Sequence, residues 1–428
     1  MLRIHPVPPS TVGGFAIQVR ASWPIERPPL ITGFTRIDPA VHPTLPVPDL
    51  EHPCAVRRGT GGLPSLLCVE QTAAGNATLV LREYAVTESG GDVSLAKLGA
   101  DFAIDQETIA VYGVDRGAVR DVYAVTQRGR VIGLRNPTVA VTTGGSQNLV
   151  GEMATDAMLL PACDNNVPRL LLRTQAPMMQ RLVVMPELGG PATAFRGVVT
   201  TTPNALDIRA VGCVSELTPK GDATLRHAVV VDVPQRSGIG GRQVRSVVFD
   251  CIFPASDQCF VDLPLLNAGA AFTPDGFLAG ANLDASGVVI SKFAVLPDQT
   301  GYRRVEFGRV AAASIPKHIV YGEFDTDGKP DAFWDIENLG GTATALQVTY
   351  AQLAGTLPLS ALSPSQGFTV DDVFVDDVTG DGKDDVIMIG KSFSDTGAPV
   401  GYGILVIPTQ VAAAVPGFRN SDDPCASP

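Results

Sequence analysis

The chain lacks an apolar run of the eighteen or so residues that a membrane-spanning helix needs. It has no H-E-x-x-H, no G-x-S-x-G and no P-loop, so the common metalloprotease, hydrolase and nucleotide signatures are absent. Histidine is scarce: His5, His42, His52, His227 and His318 are the whole complement, too scattered for a zinc site. Charged residues make up only 18% and aromatics only 6% of the 428 residues. The few aromatics tilt a binding role from sugar platforms toward a protein partner. Lys and Arg number 32 against 44 Asp and Glu, a net charge of −12, which argues against nucleic acid and against anionic membrane surfaces. Long helical periodicity is missing too, while 44 Gly and 34 Pro suit a chain with many tight turns.

What the chain does have is one carboxylate-rich loop written twice. Residues 322–336 read GEFDTDGKPDAFWDI and residues 376–390 read DDVTGDGKDDVIMIG. Each sets oxygen-bearing residues at alternate positions around an Asp-Gly-Lys turn and runs straight into an apolar, strand-like segment. Carboxylates packed this closely repel one another unless a cation lies among them, and hard oxygen ligands at loop positions 1, 3, 5, 7 and 9 suit calcium. Gly328 and Gly382 occupy the sixth position, where a sharp turn lets the carbonyl of Lys329 or Lys383 point inward. An EF-hand begins the same way but needs a Glu at position 12 and flanking helices. Here position 12 is Trp334 or Met388, and β-rich segments follow. A metal-free acidic turn explains one such loop, but two matching loops poorly.

The same unit recurs in worn form. Its anchor is the last loop position plus the strand after it, as at Asp331 and Asp385. Upstream anchors fall at Ser65, Asp121, Arg169, Arg226 and Ile290, and the clear intervals are 56 residues (65 to 121) and 54 (331 to 385). Seven units with a period near fifty, short strands and Gly/Pro turns predict an all-β chain, a seven-bladed β-propeller of four-stranded blades.

The two strong loops resemble FG-GAP repeats, also called VCBS-type repeats, of integrin α-subunits and many secreted bacterial proteins. That resemblance implies calcium, about two ions, in loops between the first two strands of a blade. The ligands it implies are Glu323, Asp325, Asp327, the Lys329 carbonyl and Asp331, then Asp377, Thr379, Asp381, the Lys383 carbonyl and Asp385. Glu323 replaces the usual Asp, and Thr379 replaces Asp or Asn, so the second loop is expected to hold its ion less tightly or with water.

The expected organisation is a Pro-rich arm over 1–50, the propeller over 51–412 and a tail over 413–428. The arm holds ten prolines and an alternating segment, GGFAIQVRASW (13–23), that could complete the closing blade. The 400–410 strand is the other candidate for that role. MLRIHPVPPS lacks the basic start and apolar stretch of a signal peptide. Seven cysteines show no C-x-x-C spacing. In an oxidising compartment Cys54 with Cys68 and Cys251 with Cys259 are close enough to clip hairpins, and an odd one remains. SGIGGR (237–242) reads as a hairpin between strands, His227 and His318 as packed or surface residues, Trp334 as a core residue, and Asn76-Ala77-Thr78 as a lone sequon. No nucleophile–base pair stands out.

The expectation is a secreted or cell-surface, calcium-binding recognition or adhesion module that meets a glycan or protein at its loop face. Its contacts should come from stretches such as 137–150, 235–243 and 391–401. A secreted polysaccharide lyase or hydrolase with structural calcium is the alternative.

Overall fold

The computed structural model describes residues 33–36, 50, 52–58, 62–71, 78–89, 92–116, 119–136, 139–142, 152–163, 168–176, 179–185, 193–200, 207–217, 223–234, 242–248, 259–262, 270–274, 276–284, 287–295, 302–310, 315–322, 331–337, 344–349, 356–358, 368–393 and 399–407. All regular structure among them is strand, in seven four-stranded antiparallel sheets. Strand β1 is Gly33–Arg36. Sheet 1 then runs β2 (Cys54–Arg57), β3 (Ser65–Gln71), β4 (Leu79–Ser89) and β5 (Asp92–Ala103). Sheet 2 is β6 (Thr108–Arg116), β7 (Val119–Thr126), β8 (Val131–Asn136) and β9 (Val139–Thr142). Sheet 3 is β10 (Met153–Leu160), β11 (Arg169–Ala176), β12 (Met179–Met185) and β13 (Thr193–Thr200). Sheet 4 is β14 (Asp207–Leu217), β15 (Ala223–Pro234), β16 (Arg242–Val248) and β17 (Cys259–Asp262). Sheet 5 is β18 (Ala270–Phe272), β19 (Leu278–Asp284), β20 (Gly287–Val295) and β21 (Tyr302–Val310). Sheet 6 is β22 (Ile315–Gly322), β23 (Asp331–Glu337), β24 (Thr344–Thr349) and β25 (Thr356–Pro358). Sheet 7 is β26 (Phe368–Asp376), β27 (Asp385–Phe393) and β28 (Pro399–Ile407), with β1 as its outer strand.

The second strands show why the sequence folds this way. Leu170-Leu171-Leu172, Val229-Val230-Val231 and Ile387-Met388-Ile389 are unbroken apolar runs with every side chain buried. An unbroken run needs cover on both faces of the sheet. The cover comes from the two neighbouring sheets. Leu170 and Leu172 pack with Val114 and Tyr123 of sheet 2, while Leu171 faces the other way, onto Ile208 and Val229 of sheet 4. Leu67 and Val69 likewise meet Val111 and Val122 of sheet 2, and Val230 meets Ala270 and Leu278 of sheet 5. Strand β18 then lies beside β22, and β22 beside β26.

The last sheet packs on the first. Leu66, Cys68 and Tyr84 of sheet 1 share one cluster with Val378, Ile387, Ile389 and Ile404 of sheet 7. Strand β1 completes sheet 7 by pairing antiparallel with β28, Gly33 opposite Val406 and Arg36 opposite Gly403. The outer strand of sheet 7 is Gly33–Arg36. The 13–23 segment and the 413–428 tail lie outside the described residues, and the 400–410 strand is the third strand of sheet 7, not its closing one.

Six of the seven anchors open or sit within a second strand: Ser65, Asp121, Arg169, Arg226, Asp331 and Asp385. Ile290 does not, for it lies in β20, the third strand of sheet 5. The first two strands of that sheet are joined by a short turn in which Thr273 Oγ1 accepts the Phe277 amide at 2.9 Å. An even interval between Arg226 and Asp331 falls at about residue 278, where β19 begins, so Ile290 lies about twelve residues too far along.

Candidate metal loop and its neighbourhood

The first carboxylate loop, with Glu323, Asp325, Asp327 and Lys329, lies outside the described residues. Only Asp331 is placed, opening β23 opposite Gly322. The second loop is described in full, between β26 and β27. Gly380 and Gly382 carry φ of 80° and 85°, the left-handed region where a side chain is strained, so the two glycines form the turn. The carboxylates then close it from inside. Asp377 accepts the Gly380 amide at 2.6 Å and the Gly382 amide at 3.2 Å, and Asp381 accepts the Lys383 amide at 2.8 Å. Asp385 is fully buried, and its Oδ2 accepts the amides of Val378 and Thr379 at 2.9 Å each and the Thr379 hydroxyl at 3.0 Å. Val378, the second loop residue, is buried in the core between sheets 1 and 7.

This loop supplies only oxygen donors on a backbone bent as a calcium loop requires. Its carboxylates nonetheless face the loop's own amides, and among the described residues no three His, Cys, Asp or Glu side chains gather as a metal-holding group. Any cation and the turn's hydrogen bonds draw on the same oxygens.

Sheet 1 contributes what the sequence did not show. The Arg58 guanidinium lies 3.4 Å from Asp377 Oδ2 and also reaches the Asp377 carbonyl. Arg120, at the start of β7, pairs with Asp115 at 2.8 Å and with Asp376. The arginine holds the Asp115 carboxyl below the usual carboxylate range. Farther along β26, Asp372 Oδ2 lies 3.1 Å from His52 Nδ1, and the His52 ring sits 5.2 Å from that of Tyr112, whose hydroxyl donates to the Ala157 carbonyl. One polar chain thus crosses sheets 7, 1, 2 and 3. No sequence signal marks the His52–Asp372 and Arg58–Asp377 pairs, whose partners are 320 and 319 residues apart.

Sheet 1 buries two glutamates, Glu70 and Glu83. Glu70 receives Arg82 at 2.5 Å and the Tyr84 hydroxyl, while Glu83 receives Arg57 and Ser65 at 2.5 Å. Arg82 also forks onto Asp101 at 2.9 and 2.8 Å. These ion pairs join strands within one sheet. His227 is packed, as expected, its Nε2 2.7 Å from the Pro161 carbonyl.

The disulfides divide between local and distant. Cys54–Cys68 joins directly opposed residues of β2 and β3, as their spacing suggested. Cys163–Cys213 spans 50 residues and ties sheet 3 to sheet 4. Cys251 and Cys425 lie outside the described residues. Strands β15 and β16, which flank SGIGGR, pair antiparallel as a hairpin requires. Among the described residues no helix is long and apolar enough to cross a membrane.

No family model matches the chain, and no curated protein matches it in sequence. Several solved structures are similar at low identity. A putative 6-phosphogluconolactonase from Bacteroides uniformis has 14% identity over 74% of this chain and 84% of its own, with a TM-score of 0.35. A mutant of Aleuria aurantia lectin in complex with Fucα1-6GlcNAc has 11% identity over 73% of this chain and 98% of its own, with a TM-score of 0.37. A subtype N11 neuraminidase-like protein of A/flat-faced bat/Peru/033/2010 has 9% identity over 90% and 96%, also with a TM-score of 0.37. At these values no residue role passes from any of them to this chain.

Proposed function

We propose that the chain is a closed, seven-bladed β-propeller of FG-GAP type. It is secreted or displayed at a cell surface, binds about two calcium ions, and recognises a glycan or protein without chemistry of its own. The observation that carries this reading is the 377–385 loop: a D-x-T-x-D-G-K-x-D sequence, bent at two left-handed glycines, between the first and second strands of a four-stranded sheet. The face-to-face packing of successive sheets, and of sheet 7 on sheet 1, supports closure. Two disulfides suit an oxidising compartment.

In the second loop Asp377, Thr379, Asp381, the Lys383 carbonyl and Asp385 would hold the ion; in the first, Glu323, Asp325, Asp327, the Lys329 carbonyl and Asp331. When bound, calcium neutralises the crowded carboxylates and stiffens the turn. In an antiparallel meander, the connections from strand 1 to 2 and from 3 to 4 share one face; those from 2 to 3 and from sheet to sheet share the other. The 377–385 loop belongs to the first face. The connections after β9, β15 and β27, within or next to 137–150, 235–243 and 391–401, belong to the second. Metal and partner therefore occupy opposite faces, and calcium acts on binding only through stability.

Calorimetric titration with calcium is expected to give a stoichiometry near two, with a melting temperature that falls on chelation. A glycan array and a surface-protein pull-down, each run with and without chelator, then separate the two partner classes. No calcium heat and an unchanged melting curve would remove the metal reading. Turnover of a polysaccharide, abolished by one carboxylate substitution outside the two loops, would replace recognition with catalysis.

A further inference from the structure

Five of the seven sheets carry one extra residue at the same register of the first strand. The unpaired positions are Ile109, Thr155, Arg209, Lys317–His318 and Asp371. Each begins five residues before the residue that pairs with the second-strand anchor: Val114, Leu160, Val214, Gly322 and Asp376 pair with Asp121, Arg169, Arg226, Asp331 and Asp385. In sheet 1 the same offset from Arg57 gives His52, where the ladder with β3 has stopped and the backbone bridges to Ala110 of sheet 2 instead. The corresponding residue of sheet 5 lies outside the described residues.

A bulge breaks the ladder and re-aims a side chain, so its repetition at one register marks a device and not an accident. Its effect is visible in burial. Ala154 and Asp156 are buried on either side of an exposed Thr155, and Val370 and Asp372 on either side of an exposed Asp371. In these two sheets the bulge turns one side chain out of the packed layers, Arg209 and His318 stay half-buried, and Ile109 packs against the cluster shared by sheets 2 and 3. While the backbone device repeats, the residue changes from sheet to sheet. The choice is also biased. Two of the chain's five histidines, one Arg and one Lys occupy these positions in an acidic chain with only 32 Lys and Arg.

First strands of successive sheets are neighbours: β2 with β6, β6 with β10, β10 with β14, β14 with β18. On the closed-propeller reading proposed above, on which this inference rests, they surround one axis. We propose that the bulged residues form a binding site at that axis for a hydroxylated carboxylate of the sugar-acid class, on the face opposite the calcium loops. The basic positions of sheets 1, 4 and 6 recognise the carboxylate, as a guanidinium fork does. Thr155 and Asp371 take hydroxyls.

The test is saturation-transfer NMR and calorimetry on the full chain with D-glucuronate, D-glucose and acetate as separate probes. Glucuronate is expected to bind, and glucose and acetate to bind at least about tenfold more weakly, since a charged hydrogen bond lost from either end weakens affinity by roughly that factor. Arg209→Gln should weaken glucuronate by about tenfold as well. Asp371→Asn and His318→Gln, which alter side chains that are not fully buried, provide independent variants should Arg209→Gln fail to fold. Gly62→Ala, in the β2–β3 connection on the other face with nothing within 4 Å, should leave glucuronate binding unchanged. No glucuronate binding, equal binding of all three probes, or variants indistinguishable from the parent would each overturn the site. Small-angle scattering on the same sample tests the architecture separately: a two-lobed or extended particle removes the propeller, whereas a disc without binding removes only the site.

Discussion

Replacing Asp385 by Ala tests what holds the second loop together. One oxygen of this buried carboxylate accepts two amides and a hydroxyl between 2.9 and 3.0 Å. A hydrogen bond to a charged group contributes about 1.5–3 kcal/mol, and a buried donor left without a partner costs about 1–3 kcal/mol. The three bonds share one acceptor and do not add fully, so about 4 kcal/mol is the expected loss for Asp385→Ala, at the high end for a point substitution. Asp385→Asn keeps an acceptor oxygen of the same reach and should cost only about 1–2 kcal/mol. The measurement is urea denaturation followed by circular dichroism, in chelator and again in millimolar calcium. In chelator the two variants should differ by about 2–3 kcal/mol. In calcium the gap between parent and Asn should widen, because a ligand charge has been lost. An Ala variant within about 1 kcal/mol of the parent in chelator, or an Asn variant equal to it, would show that these hydrogen bonds do not hold the loop.

The Cys163–Cys213 bridge closes a loop across 50 residues, so its replacement by two alanines should cost about 4 kcal/mol in denaturation under oxidising conditions; a loss below about 1 kcal/mol would contradict the role of the staple. A Cβ on Gly212 would come within 2.4 Å of the Phe272 Cβ, and Gly212→Ala should cost more than about 1–3 kcal/mol by forcing sheets 4 and 5 apart. Gly62→Ala, with nothing within 4 Å, should stay within about 0.5 kcal/mol of the parent, and equal effects at both positions would refute the packing. The Arg82 hydrogen bonds hold the Asp101 carboxyl well below the usual carboxylate range. Its contribution is therefore complete above the unfolded value near about pH 4 and lost as pH falls toward the folded value, and Asp101→Asn should flatten the acid limb of a stability profile. Burial, with Glu70 beside it, raises the Tyr84 phenol above its ordinary range. That contribution is present below about pH 10 and lost as pH rises, so Tyr84→Phe should flatten the alkaline limb.

Sequence alone determined whatever is local. The repeat was legible because each unit ends in an anchor and an apolar strand that neighbouring sheets must cover on both faces, and six anchors fell on the strand they announced. The turn at Gly380 and Gly382 and the Cys54–Cys68 clip were legible for the same reason, since each is made within fewer than twenty residues. Sheet 5 escaped because its loop has shrunk to a Thr273-capped turn, with the single acid Asp275 in place of alternating oxygen-bearing residues. Tertiary structure alone decided the rest: Gly33–Arg36 as the outer strand of the last sheet, Cys213 beside Cys163, Arg58 on Asp377, and His52 between Asp372 and Tyr112. Those contacts join segments between 50 and about 370 residues apart, and their geometry is set by how sheets stack on one another. The bulges stand between the two cases. Their position is periodic, but a one-residue excess shows only when the strand is laid against its partner, because register is a property of the pair.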